Sequence, residues 1–135
     1  MSGITVKVSG FDRVDTSLQS ITKDIMDATM DQIHAVAVEI MSNSQEEVPK
    51  DTTALVRSGF IVEEGDSIIL GYGGPNTKIN PKTGIPTEEY ALKVHEDLYM
   101  NHPNGGKAKF LEDPYYEACN NLDELLVNPL KSIFK

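Results

Sequence analysis

Between Val14 and Gln45 the apolar residues return every three or four positions. Val14, Leu18, Ile21, Ile25, Ile33, Val36 and Ile40 follow helical spacing, and Met26, Met30, Ala37 and Met41 fall beside them. At ~100° per residue the apolar arc covers roughly half of the circumference. Asp24, Asp27, Asp31 and His34 gather on the opposite face. Asp12 or Asp15 can cap the helix, which is expected to run to about Gln45. An arc this wide is more than one small sheet requires. Either the helix is buried on two sides within its own core, or it packs its own sheet and also a neighbouring subunit. The pattern weighs the two evenly.

The helix is stopped by "VPKDTTALVRSGF", Val48 to Phe60. Pro49 cannot continue it and biases Val48 toward extended backbone. Asp51 or Thr52 can cap a short helical turn through Ala54-Leu55-Val56. Ile4 to Val8 alternates as a strand does. Phe60–Glu63 and Ser67–Tyr72 read as a hairpin about Glu64-Gly65-Asp66, the second strand being nearly all apolar. Thr87 to Leu98 reads as a helix capped by Thr87, with Tyr90, Ala91, Val94 and Leu98 on one face. Asp113-Pro114 opens a last helix, in which Tyr116, Cys119, Leu122, Leu126, Leu130 and Ile133 continue the period. Asn128-Pro129 is expected to kink or restart it. The stretches 73–86 and 101–109 are loops, both candidates for ordering only in an assembly. The fold class expected is α+β: a long N-terminal helix and a C-terminal helix on a small antiparallel sheet with a hairpin, forming one domain over 1–135.

Composition narrows the function. Hydrophobic residues are 39% and aromatics 7%, a lean core, so part of the stability is expected from partner subunits. The net charge of −9 argues against phosphate-neutralising contacts with nucleic acid and against docking on anionic membranes. It leaves open a channel lining past which DNA slides without sticking. The single cysteine, Cys119, allows neither an intrachain disulfide nor a cysteine-based zinc site, and a reducing compartment follows. Neither a signal peptide nor a bilayer-spanning run is expected.

The search for chemistry returns little. His95-Glu96 resembles the opening of a zincin helix, but Tyr99 occupies the second histidine position and cannot ligate zinc there. A small metal-dependent enzyme using His95, Glu96 and His102 is one alternative reading. Gly71-Tyr72-Gly73-Gly74 lacks the lysine and hydroxyl residue of a phosphate loop, and Ser58 has no nucleophile-elbow context. Cys119, on the apolar face, is expected to be a buried structural thiol. The chain is therefore expected not to be an enzyme and to need no cofactor or metal.

The order of three stretches carries more information than any one residue. "VPKDTTALVRSGF" is followed by the hairpin, then by "YALKVHE" (Tyr90 to Glu96), then by "GKAKFLEDP" (Gly106 to Pro114) opening the last helix. This series resembles the head–tail joining, or tail-completion, proteins of long-tailed bacteriophages, also described as neck or minor capsid proteins. Their pattern runs Val-Pro-x-Asp-Thr-Gly-x-Leu-x-x-Ser, then Tyr-Ala-x-x-Val-His-Glu, then Lys-Phe-Leu-Glu-x-Pro. The likeness spans about residues 14 to 130. One departure is Thr53, which stands where the family has glycine. A β-branched residue should avoid the positive φ that glycine allows, so the corner is expected to be built differently here.

The resemblance implies a structural virion protein at the head–tail junction, assembled in the host bacterial cytoplasm. It would form a homo-oligomeric ring, six copies in the family's usual form and twelve to match a portal. Its neighbours would be adaptor, stopper or portal-side proteins above, and the tail terminator or tail tube below. DNA would pass without specific binding. Within this picture Pro49, Asp51, Thr52, Leu55 and Ser58 form the corner that swings helix into sheet. Asp51 and Thr52 satisfy backbone groups there, and Leu55 plugs the gap. Tyr90, His95, Glu96, Phe110 and Leu111 are the expected interface. Asp24, Asp27, Asp31, Glu63 and Glu64 are expected to line or border the DNA channel. A tail terminator, a minor capsid protein and an acidic adaptor of host origin are the other non-enzymatic alternatives.

Overall fold

Strand β3 (Ser67–Tyr72) is the middle of a three-stranded antiparallel sheet of order β1-β3-β2. On one side it pairs with β1 (Ile4–Val8), Ile4 facing Tyr72 and Val8 facing Ile68. On the other it pairs with β2 (Gly59–Glu64), Gly59 facing Tyr72 and Glu64 facing Ser67. Its near-continuous apolar sequence follows from this position, for Ile68, Leu70 and Tyr72 are fully buried. The computed structural model describes residues 3–8, 19–51, 53–103 and 105–133. Among these the architecture is α+β.

Helix α1 (Gln19–Glu47) crosses the sheet. Ile33, Val36, Ala37, Ile40, Met41 and Val48 join Ile68, Leu70 and Tyr72 in one core, a stripe at three-and-four spacing. The expected caps Asp12 and Asp15, and Val14 and Leu18 of the stripe, lie outside the described residues. Much of the wide apolar arc is covered within the chain. Its second flank carries the C-terminal elements: α4 (Glu112–Asn120), a π-helical turn (Asp123–Val127) and α5 (Asn128–Ile133). Ala118 belongs to the same core, Leu125 and Leu126 pack against it, and the Gln32 side-chain amide donates to the Leu125 carbonyl at 2.7 Å. Towards its N-terminal end α1 outruns this cover, and Ile25, expected on the buried stripe, is 42% exposed.

The last helix departs from its expected face. Cys119, Tyr116, Leu122 and Ile133 are exposed, and Pro114 and Ala118 are buried instead. The helix begins at Glu112, because Phe110 and Leu111 are anchored in the core just before it. That anchor turns Pro114 and Ala118 inward, and the π-helical turn then shifts the phase again before α5 restarts at Asn128. Helix α3 (Thr87–Glu96) stops two residues short of Leu98, which is exposed. Thr87 does not cap it; its buried hydroxyl accepts the Lys78 N–H at 2.9 Å, and Pro86 occupies the cap position.

Both loops make contacts with the rest of the chain. Residues 73–86 contain a 3-10 turn (Gly74–Asn76) and an Ile79–Pro86 bridge, and the Asn76 side-chain amide donates to the carbonyls of Arg57 and Gly59, each at 3.0 Å. In the second loop the Lys107 N–H donates to the Glu47 carbonyl at 2.9 Å.

The corner is built on the conformation that was expected to be avoided. Short helix α2 (Ala54–Arg57) is preceded by Thr53 at φ 64°, ψ −6°, the left-handed region. Thr53 stands at its cap position and makes no side-chain capping bond. Thr52 lies outside the described residues. A left-handed β-branched residue costs roughly 1–2 kcal/mol, which packing of Ala54 and Leu55 into the core must offset. Thr53→Gly is expected to stabilise the fold by ~1 kcal/mol, the relief of strain exceeding the added chain entropy. Urea unfolding of the two proteins measures it, and a less stable glycine variant would show that Thr53 is not strained.

Candidate functional site

Three separated stretches meet beside the C-terminal end of α1: the corner at Val48–Phe60, helix α3, and the segment from Gly106 to Pro114. The corner is closed by Ser58. Its hydroxyl donates to the Leu55 carbonyl at 2.7 Å and accepts the Gly73 N–H at 3.1 Å, which ties α2 to the end of β3. The Gln45 amide donates to the Val56 carbonyl at 3.2 Å, tying α2 back to α1. Asp51 is exposed and pairs with Lys82 at 2.7 Å, which ties the corner to the 73–86 loop.

Gly106 brings the third stretch against the corner. At φ +93° it occupies backbone space that side-chain-bearing residues rarely adopt, and a Cβ there would lie 2.4 Å from Cα of Pro49. Lys107 then reaches Asp113 at 2.8 Å and Glu47 at 3.5 Å, the second an ion contact too long for a good hydrogen bond. Lys109 turns the chain at φ 58°, the second non-glycine residue in the left-handed region among those described, and its N–H donates to the His95 carbonyl at 2.7 Å.

His95 is the centre of the junction and only 2% exposed. Its Nε2 accepts the Glu112 N–H at 3.1 Å, so that nitrogen carries no proton. The proton is then on Nδ1, which donates to Glu96 Oε1 at 2.6 Å. The Lys109 ammonium binds Glu96 Oε2 at 2.6 Å and Glu112 Oε2 at 2.9 Å. The bonds from Lys109 foremost, and from His95 next, hold the Glu96 carboxyl below its ordinary range, and those to Glu96 and then Glu112 hold the Lys109 ammonium above its own. Beneath them Phe110 is fully buried, edge-on to His95 at 5.0 Å and to Tyr72 at 5.1 Å. The Tyr72 hydroxyl reaches Ser44 of α1 at 2.7 Å, and burial pushes its phenol well above the usual range.

The expected interface residues therefore divide. His95, Phe110 and Leu111 are buried within the chain's own core, Phe110 packing edge-on against both Tyr72 and His95. Tyr90 is half-buried and lines a cavity of about 220 Å³ with Pro49, Asp51, Leu55, Val94 and His102. Glu96 keeps half of its side chain in solvent. The acids assigned to a channel, Asp24, Asp27 and Asp31 on α1 and Glu63 and Glu64 at the hairpin, are all exposed and on separate elements.

Among the described residues, His95, Glu96 and Glu112 could between them present ligand atoms within 4.8 Å of one another. His102 is not in this group; it lines the corner cavity. The position a metal would take between the carboxylates is held by the Lys109 ammonium, and the free lone pair of His95 is spent on a backbone N–H. The cluster works as a clamp. Glu112 was not singled out from sequence as a partner of His95. The signal present was the pairing of a His-Glu step with a Lys-x-x-Glu step, Lys109 to Glu112, whose nearness only the fold reveals. No helix among the described residues is long and apolar enough to cross a membrane. The chain matches no protein-family model, no curated protein and no solved structure.

Two outcomes test this junction. Gly106→Ala should destabilise the fold by about 2–4 kcal/mol, from positive-φ strain plus the Pro49 collision, measured by thermal or urea unfolding. A neutral result would mean that the loop does not seat on the corner. The lowered Glu96 carboxyl contributes stability at pH above the ordinary glutamate value of 4.5, lost as pH falls below it. Glu96→Gln should therefore unfold at lower urea at pH 7 and show a flatter loss of stability on acidification. Parallel curves for the two proteins would exclude the clamp.

Proposed function

We propose that this chain is a structural component of the neck of a long-tailed bacteriophage, forming a ring that joins the DNA-filled head to the tail tube. The observation that carries the reading is the convergence just described. The corner, the Tyr90–Glu96 stretch and the Gly106–Pro114 stretch resemble successive motifs of head–tail joining proteins. In this fold they are one physical unit: Gly106 on Pro49, Lys109 on His95, and His95 on Glu112. Their meeting in one place supports reading them as parts of one module.

The role is mechanical. The junction fixes the angle between α1 and the sheet, and that angle sets the wedge each subunit contributes to a ring. Subunits related by a rotation that divides a full turn close head to tail. The exposed acids Asp24, Asp27 and Asp31 repel phosphate, which suits a surface bordering a DNA channel. The partners on this reading are the adaptor, stopper or portal above and the terminator or tube below.

Cryo-electron microscopy of virions that carry the gene for this chain tests the proposal. Density at the head–tail junction that accepts the fold is expected, with six copies if it matches the tail or twelve if it matches the portal. Virions without the chain would overturn the reading.

A further inference from the structure

Two apolar features of the surface are used by nothing described so far. Directly after α3 the chain presents Leu98 at 67% exposure and Tyr99 at 95%, consecutive side chains projecting into solvent. Single exposed apolar residues are ordinary, but two adjacent large ones at a turn form a knob. The second feature is an open groove of about 470 Å³ between the N-terminal part of α1 and the C-terminal elements, lined by Ile25, Thr29, Leu126, Val127, Leu130 and Lys131. Apart from one hydroxyl and one ammonium its walls are aliphatic. It is shallow and wide open to solvent, a surface that side chains of a second molecule can cover.

The two features cannot meet within one molecule. Met100, next to the knob, lines the corner cavity with Pro49, just beyond the C-terminal end of α1. Ile25, in the groove, is near the other end of that helix. From Ile25 to Glu47 the helix climbs roughly 33 Å at ~1.5 Å per residue. A second copy can bring its knob to this groove, and charge favours that arrangement. Lys131 at the groove makes no ion pair among the described residues, and Asp97 stands immediately before the knob.

We infer that Leu98 and Tyr99 of one copy insert into the Ile25–Leu126–Leu130 groove of the next, with Asp97 of the knob meeting Lys131 of the groove. The contact is heterologous: each copy offers one knob and one groove, so copies add head to tail and close into a ring when the rotation permits. The inference rests on the ring reading above for closure and copy number, but the contact can be tested on the isolated protein.

Sedimentation velocity on the wild type, Tyr99→Asp, Ile25→Glu and an equimolar mixture of the two variants tests it. Both altered residues are exposed, and circular dichroism of each variant checks that the fold is intact. The wild type should self-associate with rising concentration, and each variant should do so roughly tenfold more weakly or not at all. The mixture should form dimers and nothing larger, since Tyr99→Asp keeps a working groove and Ile25→Glu keeps a working knob. A wild type that stays monomeric to about 1 mM, variants that assemble like wild type, or a mixture without dimers would each overturn the contact. The two proposals fail separately. A ring in virions with unaffected variants removes this contact and leaves the neck assignment. Capped dimers together with virions lacking the chain remove the neck assignment and leave the contact.

Discussion

Phe110 holds the molecule together where its sequence is most spread out. The ring is fully buried, with its neighbours Tyr72 from the sheet and His95 from α3 both edge-on. Burial of such a side chain is worth about 1.5–3 kcal/mol, and each edge-to-face pair adds about 0.5–1.5 kcal/mol. Tyr72 in turn reaches Ser44 of α1, so the sheet, the long helix, α3 and the entrance to α4 meet through a single aromatic stack. The ion pairs of Lys109, Glu96 and Glu112 lie above this stack, partly in solvent. Exposed pairs of that kind stabilise little by themselves. Their contribution is geometric: they set the direction in which the chain leaves the aromatic stack.

The backbone strain has a consistent location. Thr53 and Lys109 are the two non-glycine residues with positive φ among those described, and each stands at an entrance to the junction, one before α2 and one before α4. Such conformations persist only where the surroundings over-determine them. Here Leu55, two residues after Thr53, and Phe110, immediately after Lys109, are both buried in the core. The apolar anchor dictates where each helix must begin, and the preceding residue takes whatever φ the anchor requires. This reverses the usual argument from turn chemistry, in which glycine comes first and the turn follows. It also suits a part whose task is to hold one angle.

The electrostatics divide along the same line. Charges near the junction are paired across separate stretches of chain, whereas the acids of α1 and the hairpin are exposed and spread along the surface, Asp27 pairing with Lys23 one turn away. A surface of that sign discourages phosphate contact over a wide area without any particular residue being required.

Much of the architecture was legible from period alone. Alternation in Ile4–Val8, the apolar run of Ser67–Tyr72 and the stripe from Ile33 to Met41 each report a local geometry that a core then uses, and β3 lies at the centre of the sheet because it alone is apolar on both faces. Of the junction, the sequence showed the pieces and their order. It did not show that His95 would be buried, since a histidine followed by glutamate at a helix end has the composition of a surface. That outcome depended on Phe110 and on the Glu112 N–H, both more than a dozen residues away, which give the imidazole an aromatic neighbour and a donor. It did not place Cys119 in solvent, because helical phase past Leu111 is set by an anchor outside the helix. Nor did it admit a left-handed Thr53, because local preference is worth roughly 1–2 kcal/mol and the packing of Leu55 is worth more. The sequence by itself determined which segments are helix and strand and in what order they come. Tertiary structure decided which side chains those segments turn inward, because burial free energy exceeds local preference wherever the two conflict.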